Sequence, residues 1–173
     1  MKIRQAKLTD AAGIAKVHVD SWRTTYNQMI PAAYLNRLSY KSREELWKGN
    51  LSTQSVYVAE NDQGEIVGFS GGGKERTGNY PAYKGEIYAI YILKEYQQKG
   101  LGKLLLKPVV SELLNLSFDS LLVLVLEANP SRHFYEALGA KKIEEVKIKI
   151  ENKVIVEGVY GWGNINDIAR KFL

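Results

Sequence analysis

The stretch Gly85-Glu-Ile-Tyr-Ala-Ile-Tyr-Ile-Leu-Lys-Glu-Tyr-Gln-Gln-Lys-Gly-Leu-Gly102 decides the fold. Its first half is an apolar run with alternation, which predicts a strand ending near Leu93. The strand runs into a Gln97-x-x-Gly100-x-Gly102 turn, and a long apolar helix starts at about Gly100 and ends near Leu116. Strand, glycine turn and helix start together make an anion site. The two glycines let the backbone approach a ligand, and the unpaired N–H groups of the first helical turn point at it. A pyrophosphate is the expected guest, with the backbone N–H groups from Gln98 to Lys103 as donors and Lys99 and Lys103 as added charge.

Working outward, Lys2 to Lys7 predicts a first strand, and Thr9-Asp10 caps a helix that carries Ile14, Val17, His18, Ser21 and Trp22 on one face. Pro31 opens a second helix bearing Tyr34, Leu35 and Leu38. Ser42 with Glu45 reads as a capping box for a third. Ser55 to Glu60 and Glu65 to Ser70 read as a strand pair around Asn61-Asp62-Gln63-Gly64. The glycine-rich stretch from Gly71 to Tyr83 predicts a loop or a bulged strand end. After the glycine turn, Pro108 is expected to bend or divide the helix. Leu121 to Leu126 is a buried central strand, Pro130 to Leu138 a short helix closed by Gly139, and Lys141 to Tyr160 a hairpin. The order β-α-α-α-β-β-β-α-β-α-β-β makes an α/β fold with a mixed central sheet flanked by helices, in one domain over residues 1–173.

Composition sets the outer limits. The chain has no cysteine, which excludes disulfides, thiolate metal sites and a cysteine nucleophile. Two histidines with no carboxylate at ligand spacing predict no metal site. No apolar run reaches the roughly 18–20 residues of a membrane span, and the first eight residues are too polar for a signal-peptide core, so a cytoplasmic protein is expected. The net charge of +5 is scattered rather than clustered. It fits a field that draws a small polyanion better than a nucleic-acid surface.

That order resembles the GNAT N-acetyltransferase superfamily from Ile3 to about Trp162. The segment Ile90 to Gly102 looks like the family's acyl-CoA motif, Gln/Arg-x-x-Gly-x-Gly/Ala, and Glu127-Ala-Asn129-Pro-Ser-Arg-His-Phe134-Tyr135-Glu-Ala-Leu-Gly139 is similar to its Asn-x-x-Ala-x-x-Phe-Tyr-x-x-x-Gly-Phe segment. Departures are Gln98 for a common glycine, Lys94 for a frequent proline, Arg132 for a small residue and Ala140 for a phenylalanine. The resemblance implies strands splayed apart at an acyl-CoA site. It also implies a cofactor set of Ile90, Tyr91, Ile92, Gln97, Gln98, Lys99, Gly100, Leu101, Gly102, Lys103 and Asn129, with acetyl-CoA as cosubstrate and no metal. The main chain at Ile92 and the side chain of Asn129 would meet the pantetheine arm.

Two residues carry expected catalytic roles by the same resemblance. Tyr135 is matched to a tyrosine that gives a proton to the departing thiolate, and its alternative reading is core packing. Glu86 is matched to a general base that takes the proton of an ammonium, and its alternative is a solvent-facing strand end. The acceptor is expected at the junction after the first helix, Ser21 to Tyr26 and Met29 to Pro31. Trp22, Tyr26 and Tyr88 are its candidate contacts, and Tyr80, Tyr83 and Trp162 are further aromatics of the slot or of the core. His18 reads as a core histidine. Gly68 to Lys74 has P-loop spacing, but Glu75 follows where magnesium binding needs Ser or Thr. The expected activity is acetylation of a primary amine on a small molecule. A protein lysine or N-terminus as acceptor and a non-catalytic acyl-CoA-binding module are the alternatives, and the oligomeric state is left open, a homodimer included.

Overall fold

The computed structural model of the protein describes residues 1–172. Seven strands form one sheet in the order β1-β2-β3-β4-β5-β7-β6: β1 (Lys2–Gln5), β2 (Val56–Glu60), β3 (Ile66–Lys74), β4 (Gly85–Ile92), β5 (Leu121–Leu126), β6 (Lys141–Ile150) and β7 (Lys153–Trp162). All neighbours are antiparallel except β4 and β5. The parallel pair needs a crossover, and α4 (Leu101–Asn115) supplies it. α1 (Ala11–Thr25), α2 (Ala32–Asn36) and α3 (Tyr40–Leu51) cover one face of the sheet, while α4 and α5 (Arg132–Ala137) cover the other. The predicted α/β sandwich with a mixed sheet is the observed fold. A short terminal helix, α6 (Asn166–Ala169), was not foreseen; Ile168 packs it against the α4 side of the core.

Both faces of the sheet are packed. Ile14, Ala15 and Val17 of α1 meet Val56, Val58 and Phe69 on one side. Leu106, Val109, Val110 and Leu113 of α4 meet Ile87, Leu121 and Val123 on the other. Each buried Val, Leu or Ile contributes roughly 1.5–3 kcal/mol of apolar transfer free energy, so this double layer supplies most of the driving force.

Four local expectations are corrected or resolved. The first strand stops at Gln5, because Leu8–Asp10 already turns as a 3-10 helix. Of the two readings of the glycine stretch, the bulged strand end is the observed one over its first part: β3 continues through Gly73 to Lys74, with a register shift against β4 at Gly71 and Gly72. A Cβ on Gly72 would lie 2.8 Å from both Glu86 O and Val109 Cγ1, so only glycine lets β4 and α4 close on the strand there. α3 is capped by Ser39, whose side chain accepts from the Ser42 N–H, so it begins earlier than the Ser42–Glu45 pattern implies. Pro108 does not divide α4. Its missing N–H removes the bond to the carbonyl of Leu104, a residue on the exposed side of the helix, where the loss of one backbone bond is tolerated.

Pairing irregularities decide the site. Between β3 and β4 the register shifts: Gly71 pairs with Ala89 and Gly72 with Ile87, which leaves Tyr88 as an extra residue. Such a bulge bends its strand and turns the following side chains over. Ile87 accordingly faces the α4 core, while Ala89 and Tyr91 face α1. Past the bulge β4 leaves β5. The two pair only over Gly85–Ile87 and Leu121–Val123, although β4 runs on to Ile92 and β5 to Leu126. No helix among the described residues is long and apolar enough to cross a membrane, and no group of three or more His, Cys, Asp or Glu among them is placed to hold a metal.

Candidate active site

A cavity of about 800 Å³ fills the gap between the diverging strands. Its walls are Ile87 to Ile92 of β4, Val123 to Val125 of β5, the glycine turn, the start of α5 and the end of α1. Because β4 and β5 have parted, the main-chain groups along one edge of each strand face the gap without a strand partner. An extended ligand bearing amides can pair with such an edge.

The turn is shaped as the sequence predicts. Gln98 (φ 57°) and Gly100 (φ 80°) are both left-handed, and α4 starts directly after Gly100. A Cβ on Gly100 would meet nothing within 4 Å, so the surface above it is open to a ligand. The N–H groups of Gln98, Lys99, Gly100, Leu101 and Gly102 make no backbone hydrogen bond among the described residues. That of Lys103 is already turned to Gly100 O at 3.1 Å, which removes it from the expected donor set. Gln97 stiffens the turn, its side-chain N–H donating to Ile92 O at 2.8 Å. Lys94 and Lys103 reach the cavity wall as cations, whereas Lys99 lies over the Tyr96 ring, outside it. The helix N-terminus and these two lysines favour an anion at this end.

At the other end of the cavity three tyrosines converge. Tyr135 of α5 is 5% exposed and stands against Trp162, with ring centroids 6.5 Å apart. Burial pushes its hydroxyl well above the usual phenol range, so it holds its proton at neutral pH. Tyr26, at the end of α1, has its hydroxyl among Tyr91 and Asn129, and burial raises it in the same way. Asn129 lines the cavity, and its Oδ1 accepts from the Ser131 N–H at 2.9 Å, which starts the turn into α5.

Not every expected residue meets the cavity. Glu86 is 3% exposed and is bound to Arg76, which donates Nε at 3.1 Å to Oε1 and its backbone N–H at 3.1 Å to Oε2. The solvent-facing alternative is therefore corrected, and Glu86 is not part of the cavity wall. Tyr88 reaches the wall, but its hydroxyl is turned to Lys74 O at 2.6 Å, and the Arg76 guanidinium lies 4.2 Å over its ring. Trp22 packs behind Tyr26 at 4.9 Å, supporting the wall rather than forming it. Trp162 belongs to the core, its indole N–H donating to Leu138 O at 3.0 Å. His18 is the core histidine that was expected: its Nδ1 accepts from Trp47 Nε1 at 3.0 Å and its ring stacks on Tyr91. Sequence reading passed over Lys94 and Ser131 as site residues, since a lysine and a serine in a turn carry no signal until the turn's partners are known.

The strand gap, the glycine turn and the buried tyrosine occur together within the part of the chain, residues 19–140, that matches the Acetyltransferase (GNAT) family. The chain belongs to the GNAT acetyltransferase family. It is 43% identical over 164 residues to the "Uncharacterized N-acetyltransferase YuaI" of Bacillus subtilis strain 168, covering 95% of this chain and 94% of that one. Its fold is similar to that of an N-acetyltransferase from Staphylococcus aureus Mu50, with 19% identity, a TM-score of 0.75, and coverage of 95% of this chain and 98% of that one. It is also similar to yncA, a putative acetyltransferase from Salmonella typhimurium whose structure holds acetyl-CoA, with 19% identity, a TM-score of 0.71, and coverage of 94% and 92%. GNAT membership makes this chain an acyltransferase.

Proposed function

We propose that this protein transfers the acetyl group of acetyl-CoA to the primary amine of a small molecule. The observation that carries the reading is the cavity between β4 and β5, which has an anion-binding turn at one end and a buried, protonated tyrosine at the other. The five free N–H groups from Gln98 to Gly102 suit the pyrophosphate, and the unpaired edge of β4 suits the pantetheine amides. The acetyl-CoA held by the Salmonella protein of the same fold supports this donor. The acceptor side is walled by Thr24, Thr25, Tyr26 and Met29 at the end of α1, which favours a small amine over an open peptide groove.

In this reading the amine nitrogen attacks the thioester carbonyl, and the oxygen that becomes negative is met by N–H groups of β4 beside the bulge. The C–S bond then breaks, and the Tyr135 hydroxyl gives its proton to the sulfur of coenzyme A. The amide nitrogen sheds its surplus proton to the phenolate, directly or through water, which restores Tyr135. The test is a thiol-release screen with acetyl-CoA against short alkyl and arylalkyl primary amines, with a lysine peptide as comparator. Turnover with small amines exceeding that with the peptide is expected; turnover with the peptide alone would overturn the choice of acceptor.

A further inference from the structure

At its acceptor end the cavity wall carries no charge. We infer that the acceptor is a weakly basic primary amine, such as an arylamine or an electron-poor alkylamine, which enters and reacts as the free base. This deepens the reading just given and rests on it.

The charges of the wall carry the inference. Among the described residues no Asp, Glu, Arg or His lines the cavity, and its two cations, Lys94 and Lys103, belong to the glycine-turn end. The acceptor end offers Ser21, Thr24, Thr25, Tyr26 and Met29 from the end of α1, with Tyr91 of β4 and Tyr135 of α5. Burial raises the three tyrosine hydroxyls, so they keep their protons and supply no negative charge.

The carboxylates on the surrounding elements are engaged elsewhere. On α1, Asp20 accepts from Lys16 and from the Tyr40 hydroxyl, while Arg23 donates to Leu38 O. On β4, Glu86 is buried and bound by Arg76. Glu127, which follows β5, is bound by Lys142 and Tyr160, and Glu136 of α5 by Arg132 and His133. Glu157 lies on β7, with β5 between it and the gap, and Glu95 is exposed outside the wall.

An ammonium moved from water into this end of the cavity loses its hydration and finds no opposite charge, which favours its neutral form. The neutral form is also the one with a lone pair for attack. For a lysine-like amine that form is scarce: with a pKa near 10.4, about one molecule in 2,500 is free base at pH 7. A weakly basic amine brings its lone pair without that loss. Ser21 adds a second sign. Its buried hydroxyl has no hydrogen-bond partner among the described residues, and a free amine both gives and accepts such bonds.

The atoms balance without a carboxylate. The N–C bond forms, the C–S bond breaks, Tyr135 gives its proton to the sulfur, and the surplus proton of the amide nitrogen returns to the phenolate. One acetamide and one coenzyme A thiol result, and no proton is released to solvent.

The test uses ethylamine and its 2-fluoro, 2,2-difluoro and 2,2,2-trifluoro derivatives, which are close in size and fall stepwise in basicity. Thiol release with acetyl-CoA is followed from about pH 6 to about pH 10. At pH 7, kcat/KM is expected to rise roughly 10-fold or more from ethylamine to the difluoro compound, because the free fraction grows tenfold per unit of basicity lost. For each acceptor kcat/KM should climb with pH to that amine's own pKa and level there, so the midpoint moves with the acceptor. A midpoint fixed at one pH for every acceptor would mark a titrating group of the protein and overturn the inference. So would ethylamine being the fastest acceptor at pH 7, or a deficit in Glu86→Gln that shrinks as pH rises. If no small amine is turned over, the small-amine reading fails separately, and fluorine NMR of trifluoroethylamine with the protein–coenzyme A complex decides the inference. Binding that ethylamine displaces at about pH 10 and not at about pH 7 sustains it; no binding, or equal displacement at both, overturns it.

Discussion

Ile87 and Val123 are the last residues at which β4 and β5 pair. The next residue on β4 is Tyr88, the extra residue of the bulge against β3. Bulge and separation thus coincide, and they are one device. The added residue increases the local bend and twist of β4, which carries its far half away from β5 and opens the cavity between them. The same residue turns Tyr91 to the α1 side, beside Tyr26.

Gly100→Val should separate binding from folding. The new side chain has open space around it, but a β-branched residue at φ 80° is strained. A loss of about 1–2 kcal/mol in stability is expected from the left-handed backbone, together with a much larger proportional loss of coenzyme A affinity because the side chain would project into the space proposed for the pyrophosphate. Calorimetry of coenzyme A binding to the folded variant measures it; equal affinity would remove the turn from the site.

Tyr135→Phe keeps the ring against Trp162 and Phe134 and deletes only the hydroxyl. Stability should move by less than about 0.5 kcal/mol, as for changes that break no bond. Single-turnover rates should fall by roughly 10-fold or more if the hydroxyl protonates the thiolate, while KM for acetyl-CoA holds. An unchanged chemical step would leave Tyr135 with packing alone.

Arg76→Ala tests what holds Glu86. The carboxylate is 3% exposed and its guanidinium partner about half exposed, at 54%, so the pair is screened on one side only. Removing Arg76 strands a buried charge, and a loss of about 1–3 kcal/mol is expected. The double change Arg76→Ala with Glu86→Gln should recover most of it, since the charge is then gone as well. Denaturant unfolding of the four proteins gives the coupling.

His18 predicts an acid-sensitive core. Burial, and after it the charge of Arg43, lowers its pKa to about 4. The unfolded chain takes up that proton near the ordinary value of about 6.5, so the buried neutral ring supports folding above that pH and its contribution is lost as pH falls toward 4. The shift corresponds to about 3 kcal/mol at one unit per 1.4 kcal/mol. Stability curves of wild type and His18→Gln between those limits should converge toward the acid end; parallel curves would show that another group titrates there.

What the sequence determined by itself was everything that depends on neighbours in the chain. Alternation and 3.6-residue periodicity fixed the strands and helices, and Gln97-x-x-Gly100-x-Gly102 fixed the turn, because a left-handed residue at a helix start is a local demand. Asn129 and Tyr135 were picked out because the segment that carries them resembles a family motif, which is itself a pattern of chain neighbours; both line the cavity. Tertiary structure decided the rest. Whether Pro108 breaks α4 depended on Leu104 being exposed, and whether Trp162 lines a slot depended on Leu138 offering it a carbonyl. Whether Glu86 stands free depended on Arg76 folding back onto it across the β3–β4 connection. Charge pairing is set by distances between segments that meet only in the folded sheet, and no spacing along the chain encodes it.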